Sequence, residues 1–119
     1  MNGIVLSEKT NGIDVVSFSV DRIDALNVDG IRPSIARLFD VPYTNVVIDM
    51  NGVSYLDSTA FAMFLHLLRV ARNNYCTYKL CGLSQNVREL FELLQLDKAL
   101  DILPDREACL ESFRRSGPF

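Results

Sequence analysis

The chain has one histidine and three cysteines, and that scarcity removes several kinds of chemistry at the outset. Cys76, Cys81 and Cys109 show no Cys-x-x-Cys spacing, and His66 alone cannot complete a metal site with them, so no metal and no cofactor is expected. Free thiols of that kind suit a reducing compartment, which points to the cytoplasm. No apolar run is long enough to span a membrane, and the N-terminal residues lack the basic start and apolar stretch of a secretory signal. Positive charge is also short: 12 Lys and Arg stand against 15 Asp and Glu, a formal net charge of −3. A nucleic-acid surface needs clustered cations to neutralise phosphates, so proteins are the expected partners. A Gly-x-Ser-x-Gly elbow and a phosphate-cradling glycine loop are absent too, which leaves hydrolase and nucleotide chemistry without support.

What is present suffices for one compact domain: 119 residues, 49% of them hydrophobic. Asn11-Gly12 between two apolar stretches predicts an opening β-hairpin. Val28, Ile31, Ile35, Leu38 and Phe39 share one helical face, and Pro33 sets the helix start near Asp29 or Gly30. Asn45 to Met50 is a β-branched run with little alternation, as in a central strand covered on both faces. From Ser58 to about Asn73, the residues Phe61, Phe64, Leu65, Leu68 and Ala71 make an apolar stripe, with Ala62, His66, Arg69 and Asn73 on the wetter side. Tyr75 to Cys81 reads as another strand, and Ser84 as the cap of a helix carrying Val87, Leu90, Phe91 and Leu94. A short strand near Asp101 to Leu103 and a terminal helix follow, ending in a loose "RRSGPF" tail. This order predicts an α/β fold: a mixed, mostly parallel β-sheet of about five strands with about four α-helices.

The stretch "SYLDSTAFAMFL" sets Asp57, Ser58 and Thr59 directly before the third predicted strand's helix. Asp57 or Ser58 can cap that helix by accepting hydrogen bonds from its first N–H groups. Functional groups of parallel α/β sheets also gather where a strand ends and the next helix begins, and Ser58 lies just there. Nucleophilic catalysis by Ser58 needs a base within reach. His66 is eight residues further along the same helix, about 12 Å away at 1.5 Å per residue, so the chain is not expected to be an enzyme. Asp49 is expected to be a hydrogen-bonded carboxylate at a strand end.

"VVIDMNGVSYLDSTAFAMFL", with "DRIDALN" upstream and "CGLSQNVRELFELLQLDKAL" downstream, resembles the STAS domain of bacterial anti-sigma factor antagonists. The resemblance runs from about Ile13 to Phe113, which implies a single STAS domain over residues 1–119 with a core at about 13–113. In that family the serine after the aspartate is the phosphoacceptor, which maps onto Ser58. The resemblance implies a cytoplasmic regulator of transcription: the unphosphorylated protein binds an anti-sigma factor that is also its serine kinase, releasing a sigma factor, and a phosphoserine phosphatase resets it. The partner-binding surface so implied comprises Asp24, Asn27, Asp57, Ser58, Thr59, Ala60 and Phe61, with neither nucleic acid nor membrane insertion involved. Asp24 matches an acidic docking residue of the family, with a turn or cap as its alternative, and either role puts it on the surface. The family usually continues with Gly-Leu where this chain has Ala60-Phe61. That departure keeps a second role open, a STAS scaffold subunit of a stress-signalling or lipid-transport assembly without a phosphorylation cycle.

Overall fold

A computed structural model describes residues 3–116. Strands β1 (Val5–Thr10) and β2 (Ile13–Phe18) form the expected antiparallel hairpin, with Thr10 paired to Ile13. Asn11 and Gly12 between them both take positive φ, +54° and +81°, which suits the right-handed twist of the two strands. β4 (Asn45–Asp49), β6 (Thr77–Cys81) and β7 (Asp101–Leu103) join β2 in parallel, giving one five-stranded sheet in the order β1-β2-β4-β6-β7. Two-residue strands β3 (Arg22–Ile23) and β5 (Tyr55–Leu56) pair in parallel outside that sheet, an addition that no residue pattern announces.

Four α-helices complete the fold: α1 (Val28–Ala36), α2 (Ser58–Asn73), α3 (Gln85–Leu93) and α4 (Arg106–Ser116). Val46, Val47 and Ile48 of β4 are all fully buried, because helices cover both faces of the sheet. The main core gathers Val46, Ile48 and Leu80 with Ile31 and Ile35 of α1, Phe64 and Leu67 of α2, and Phe91 of α3. α4 alone covers the other face, where Val15, Val47, Cys81, Cys109 and Phe113 form a smaller cluster. Burying a large apolar side chain contributes about 1.5–3 kcal/mol, so most of the stability resides on the three-helix side.

The predicted stripe on α2 is out of phase by about one residue. Ala60, Phe61, Met63, Phe64, Leu67 and Ala71 are buried, whereas Leu65 is 38% exposed and Leu68 sits at the margin. α3 buries Val87 and Phe91 but leaves Leu90 exposed, and Leu94, expected on the same helix, lies at its C-cap and is exposed as well. α1 begins at Val28, one or two residues before the expected start, and contains Pro33 without ending there. Tyr75 and Cys76 precede β6 rather than belonging to it. Tyr75 has φ +59° and stacks on Tyr43, itself at φ +63°, a geometry no turn motif in the sequence announces. Of the tail predicted to be loose, Arg114 and Arg115 are helical and paired with Glu111, and residues 117–119 lie outside the described residues.

Candidate functional site

The β3–β5 pair aligns Ile23 with Leu56, both buried, so the next residues in each strand, Asp24 and Asp57, leave the pair side by side. Each aspartate then precedes a helix. Asp57 is the N-cap of α2, in extended conformation with φ −106° and ψ −175°. Its Oδ1 accepts the N–H groups of Thr59 at 3.0 Å and Ala60 at 3.2 Å, and also the Thr59 hydroxyl. Its Oδ2 accepts the N–H of Ala25 at 3.0 Å, in the loop between β3 and α1. The Thr59 hydroxyl bond, and then the N–H groups of Ala25, Ala60 and Thr59, hold the Asp57 carboxyl below its usual 3.8 against partial desolvation.

Asp24 is not the surface residue the sequence predicted: it is only 9% exposed. Its Oδ1 accepts the Leu26 N–H at 3.0 Å, and its Oδ2 lies 3.7 Å from an Arg22 guanidinium nitrogen. That guanidinium also sits over the Tyr55 ring, 4.8 Å from its centroid. Asn27 closes the loop from the other side. Its Oδ1 accepts the Asp24 N–H at 3.0 Å, and its Nδ2 donates to the Arg22 carbonyl at 2.9 Å. Asn27 therefore occupies the N-cap position of α1 while its side chain braces the loop.

Ser58 is the first residue of α2 and is exposed. Among the described residues its hydroxyl has no hydrogen-bond partner, so it is available to a partner in solution. Thr59 is half-buried, with its hydroxyl committed to Asp57. Ala60 is fully buried and Phe61 is 8% exposed, edge-on to Phe91 at 5.1 Å between centroids. These two side chains thus serve the core, and the Ala60-Phe61 departure from Gly-Leu is absorbed inside the domain instead of being displayed. The structure brings Asp24, Asn27, Asp57, Ser58 and Thr59 together at one end of the parallel strands. It also adds Arg22, Ala25, Leu26 and Tyr55, which sequence reasoning missed because a long-range strand pair places them.

A cleft of about 450 Å³ runs from this site between α1 and α2, lined among others by Val28, Asp29, Arg32, Thr59 and His66. His66 lies two helical turns from Ser58 along α2, too far to act as its base. No group of three or more metal-ligating side chains occurs among the described residues. Asp49, half-buried at the end of β4, accepts the Asn51 N–H at 2.9 Å and pairs with Arg106 at 3.0 Å, the hydrogen-bonded strand-end carboxylate expected from the sequence.

A mixed sheet with helices on both faces, carrying an exposed serine hydroxyl beside a hydrogen-bonded loop, defines the class of this domain as mixed α/β with its candidate site at one end of the parallel strands. Residues 5–109 match the model of the STAS domain, and the chain belongs to that family. BtrV of Bordetella bronchiseptica is 24% identical over 96 residues, covering 81% of this chain and 83% of that protein. A solved anti-sigma-factor antagonist (STAS) domain protein from Planctomyces limnophilus superposes with a TM-score of 0.81 at 18% identity, over 90% of this chain and 96% of that one. SpoIIAA, the Bacillus cell fate determinant, solved in its phosphorylated form, superposes with a TM-score of 0.67 at 20% identity, over 91% and 98% of the two chains. No helix among the described residues is long and apolar enough to cross a membrane.

Proposed function

We propose that this chain is a non-enzymatic anti-sigma factor antagonist: its unphosphorylated form binds an anti-sigma factor with serine kinase activity, releasing a sigma factor, and phosphorylation of Ser58 switches it off. A phosphoserine phosphatase returns it to the binding form. The observation that carries this reading is the unpartnered, exposed Ser58 hydroxyl at the first position of α2, flanked by the Asp57 carboxylate. A kinase can reach that hydroxyl without unfolding anything. Phosphorylation adds a charge of about −1.5 to −2 next to Asp57, and an interface fitted to a neutral hydroxyl must then desolvate a dianion. The relatives named as antagonists, and the solved phosphorylated form of SpoIIAA, agree with this assignment.

The test is a pair of variants titrated against the purified anti-sigma factor of the source organism. Ser58→Ala stays folded, accepts no phosphate from that kinase and still binds. Ser58→Glu binds at least about tenfold more weakly, which corresponds to about 1.4 kcal/mol. Equal affinity of both variants would reject the switch.

A further inference from the structure

Leu26 is 95% exposed, the barest large apolar side chain of the described residues. A single exposed leucine is ordinary, but the backbone that carries this one is not. Five consecutive N–H groups, from Asp24 to Val28, each have an acceptor at 2.9–3.1 Å. Asp24 donates to the Asn27 side chain, Ala25 to the Asp57 carboxylate and Leu26 to the Asp24 carboxylate, while Asn27 and Val28 donate to the Asp24 carbonyl. Three polar side chains from two separate segments therefore hold the loop in one shape, and at its tip is a leucine that touches almost nothing. The core gains nothing from Leu26.

We infer that Leu26 is the apolar anchor by which this chain seats on its protein partner, and that the partner carries a pocket for one aliphatic side chain. The inference rests on the antagonist reading above and adds to it the residue that supplies affinity. Three observations select a protein pocket as the occupant. The loop is ordered before binding, so a partner gains the contact with little further loss of chain entropy, as at interface hot spots. The same Asp57 carboxylate that caps the helix at Ser58 holds the Ala25 N–H next to Leu26. A partner that takes Leu26 therefore has the Ser58 hydroxyl within its footprint. Tyr55, 46% exposed and clamped under Arg22, adds a flat aromatic edge to the same end of the molecule. Affinity and switching then sit on neighbouring but different residues, the leucine supplying contact area and the serine supplying the charge that ends it.

The experiment titrates wild type, Leu26→Ala, Leu26→Met, Ser58→Glu and Val41→Ala against the purified serine-kinase anti-sigma factor of the source organism. Val41 is 65% exposed and precedes β4, at the end of the strands away from Ser58, so it controls for non-specific apolar capture. The expected result is that Leu26→Ala binds at least about tenfold more weakly with an unchanged melting point, while Leu26→Met stays within about threefold and Val41→Ala is unaffected. Leu26→Ala binding as wild type while Ser58→Glu binds weakly overturns the anchor and leaves the switch standing. Equal losses from Leu26→Ala and Val41→Ala also overturn it, by showing non-specific capture. Wild type failing to bind that factor overturns the anchor together with the antagonist reading.

Discussion

The Asp57 carboxylate and the Ala25 N–H, 32 residues apart in the chain, meet at 3.0 Å. The bond matters because the other oxygen of Asp57 is engaged with the first turn of α2, so one side chain joins the helix bearing Ser58 to the loop bearing Leu26. Helix caps usually serve only their own helix. This one serves two segments brought together by the Ile23–Leu56 pairing of β3 and β5. Asp57→Ala is expected to lower the thermal midpoint by several degrees and to speed amide hydrogen exchange at Ala25 as well as at Thr59 and Ala60. Exchange faster only within α2 would show that the loop stands without Asp57.

The same carboxylate sets a pH dependence. Its folded-state pKa is depressed, chiefly by the Thr59 hydroxyl bond, so its stabilising contribution is complete above the ordinary aspartate value of 3.8 and is lost as pH falls through the depressed one. Glu111, depressed first by Arg114 and then by Arg115, loses its contribution in the same direction. Carboxyl NMR separates the two. The Asp57 signal is expected to titrate below 3.8 in the wild type and to return towards the ordinary range in Thr59→Val, which removes the hydroxyl. A wild-type Asp57 that titrates at or above 3.8 would contradict the geometry.

Gly82 turns the chain between β6 and α3 with φ +71°, where a Cβ would lie 2.7 Å from Asp49 Oδ1 and 2.9 Å from the Asn51 nitrogen. Gly82→Ala must strain the left-handed backbone and also displace a carboxylate that Arg106 holds. A loss of about 2–3 kcal/mol in urea unfolding is expected. Gly12→Ala, at φ +81° with nothing within 4 Å, carries only the backbone part and is expected to lose less, about 1 kcal/mol. The reverse ranking would place the crowding elsewhere.

How much of this was legible in advance depends on the reach of each signal. The hairpin follows from Asn11-Gly12, the central strand from the β-branched run at Val46–Ile48, and the cap of α3 from Ser84, whose hydroxyl accepts the Val87 N–H. Each is a local matter of a few consecutive residues. Ser58 at the head of α2 belongs to the same kind. The burial of Asp24 is not legible, because it depends on a two-residue strand pair between segments 33 residues apart, and short pairs of that sort leave no periodicity. The phase of α2 fails for a related reason. Leu65 and Leu67 are equally apolar in the sequence, and only the position of the sheet decides that Leu67 is fully buried and Leu65 is not.

The thiols illustrate a contact that spacing alone hides. Cys76, just before β6, packs in the main core and Cys81, at the end of β6, packs on the α4 face, so those two stand apart. Cys81 instead lies in the same buried cluster as Cys109, whose thiol donates to the Leu80 carbonyl at 3.7 Å; the neighbouring Cys109 thiol and then burial raise the Cys81 pKa, and the Cys81 thiol lowers that of Cys109. All three cysteines are 5% exposed or less. A soluble aromatic disulfide reagent is therefore expected to label none of them in the native state within minutes and all three after unfolding. Rapid native labelling of Cys109 would mean that α4 detaches from the sheet far more often than its buried Phe113 and the Arg106 pairs to Asp49 and Glu8 suggest.

Phosphorylation of Ser58 is expected to change what the surface binds without changing its shape. A phosphate at the first position of a helix meets the positive end of the dipole, which is favourable. Here Asp57 already holds two of the first-turn donors, the N–H groups of Thr59 and Ala60, and its carboxylate repels the incoming charge. The Ser58 side chain has no contact in the core to lose, so neither effect reaches the sheet. Attraction by the dipole and repulsion by Asp57 oppose each other at an exposed position, and the melting point is expected to stay within about 3 °C of the unmodified protein. Amide shifts should change around residues 24–27 and 55–61 and remain fixed in α3, α4 and the hairpin. The partner has no such compensation, because closing an interface over the phosphate strips its water from both sides. Shift changes spread through the sheet, or a melting point lower by ten degrees, would make the switch a conformational one and move its cause from the surface to the fold.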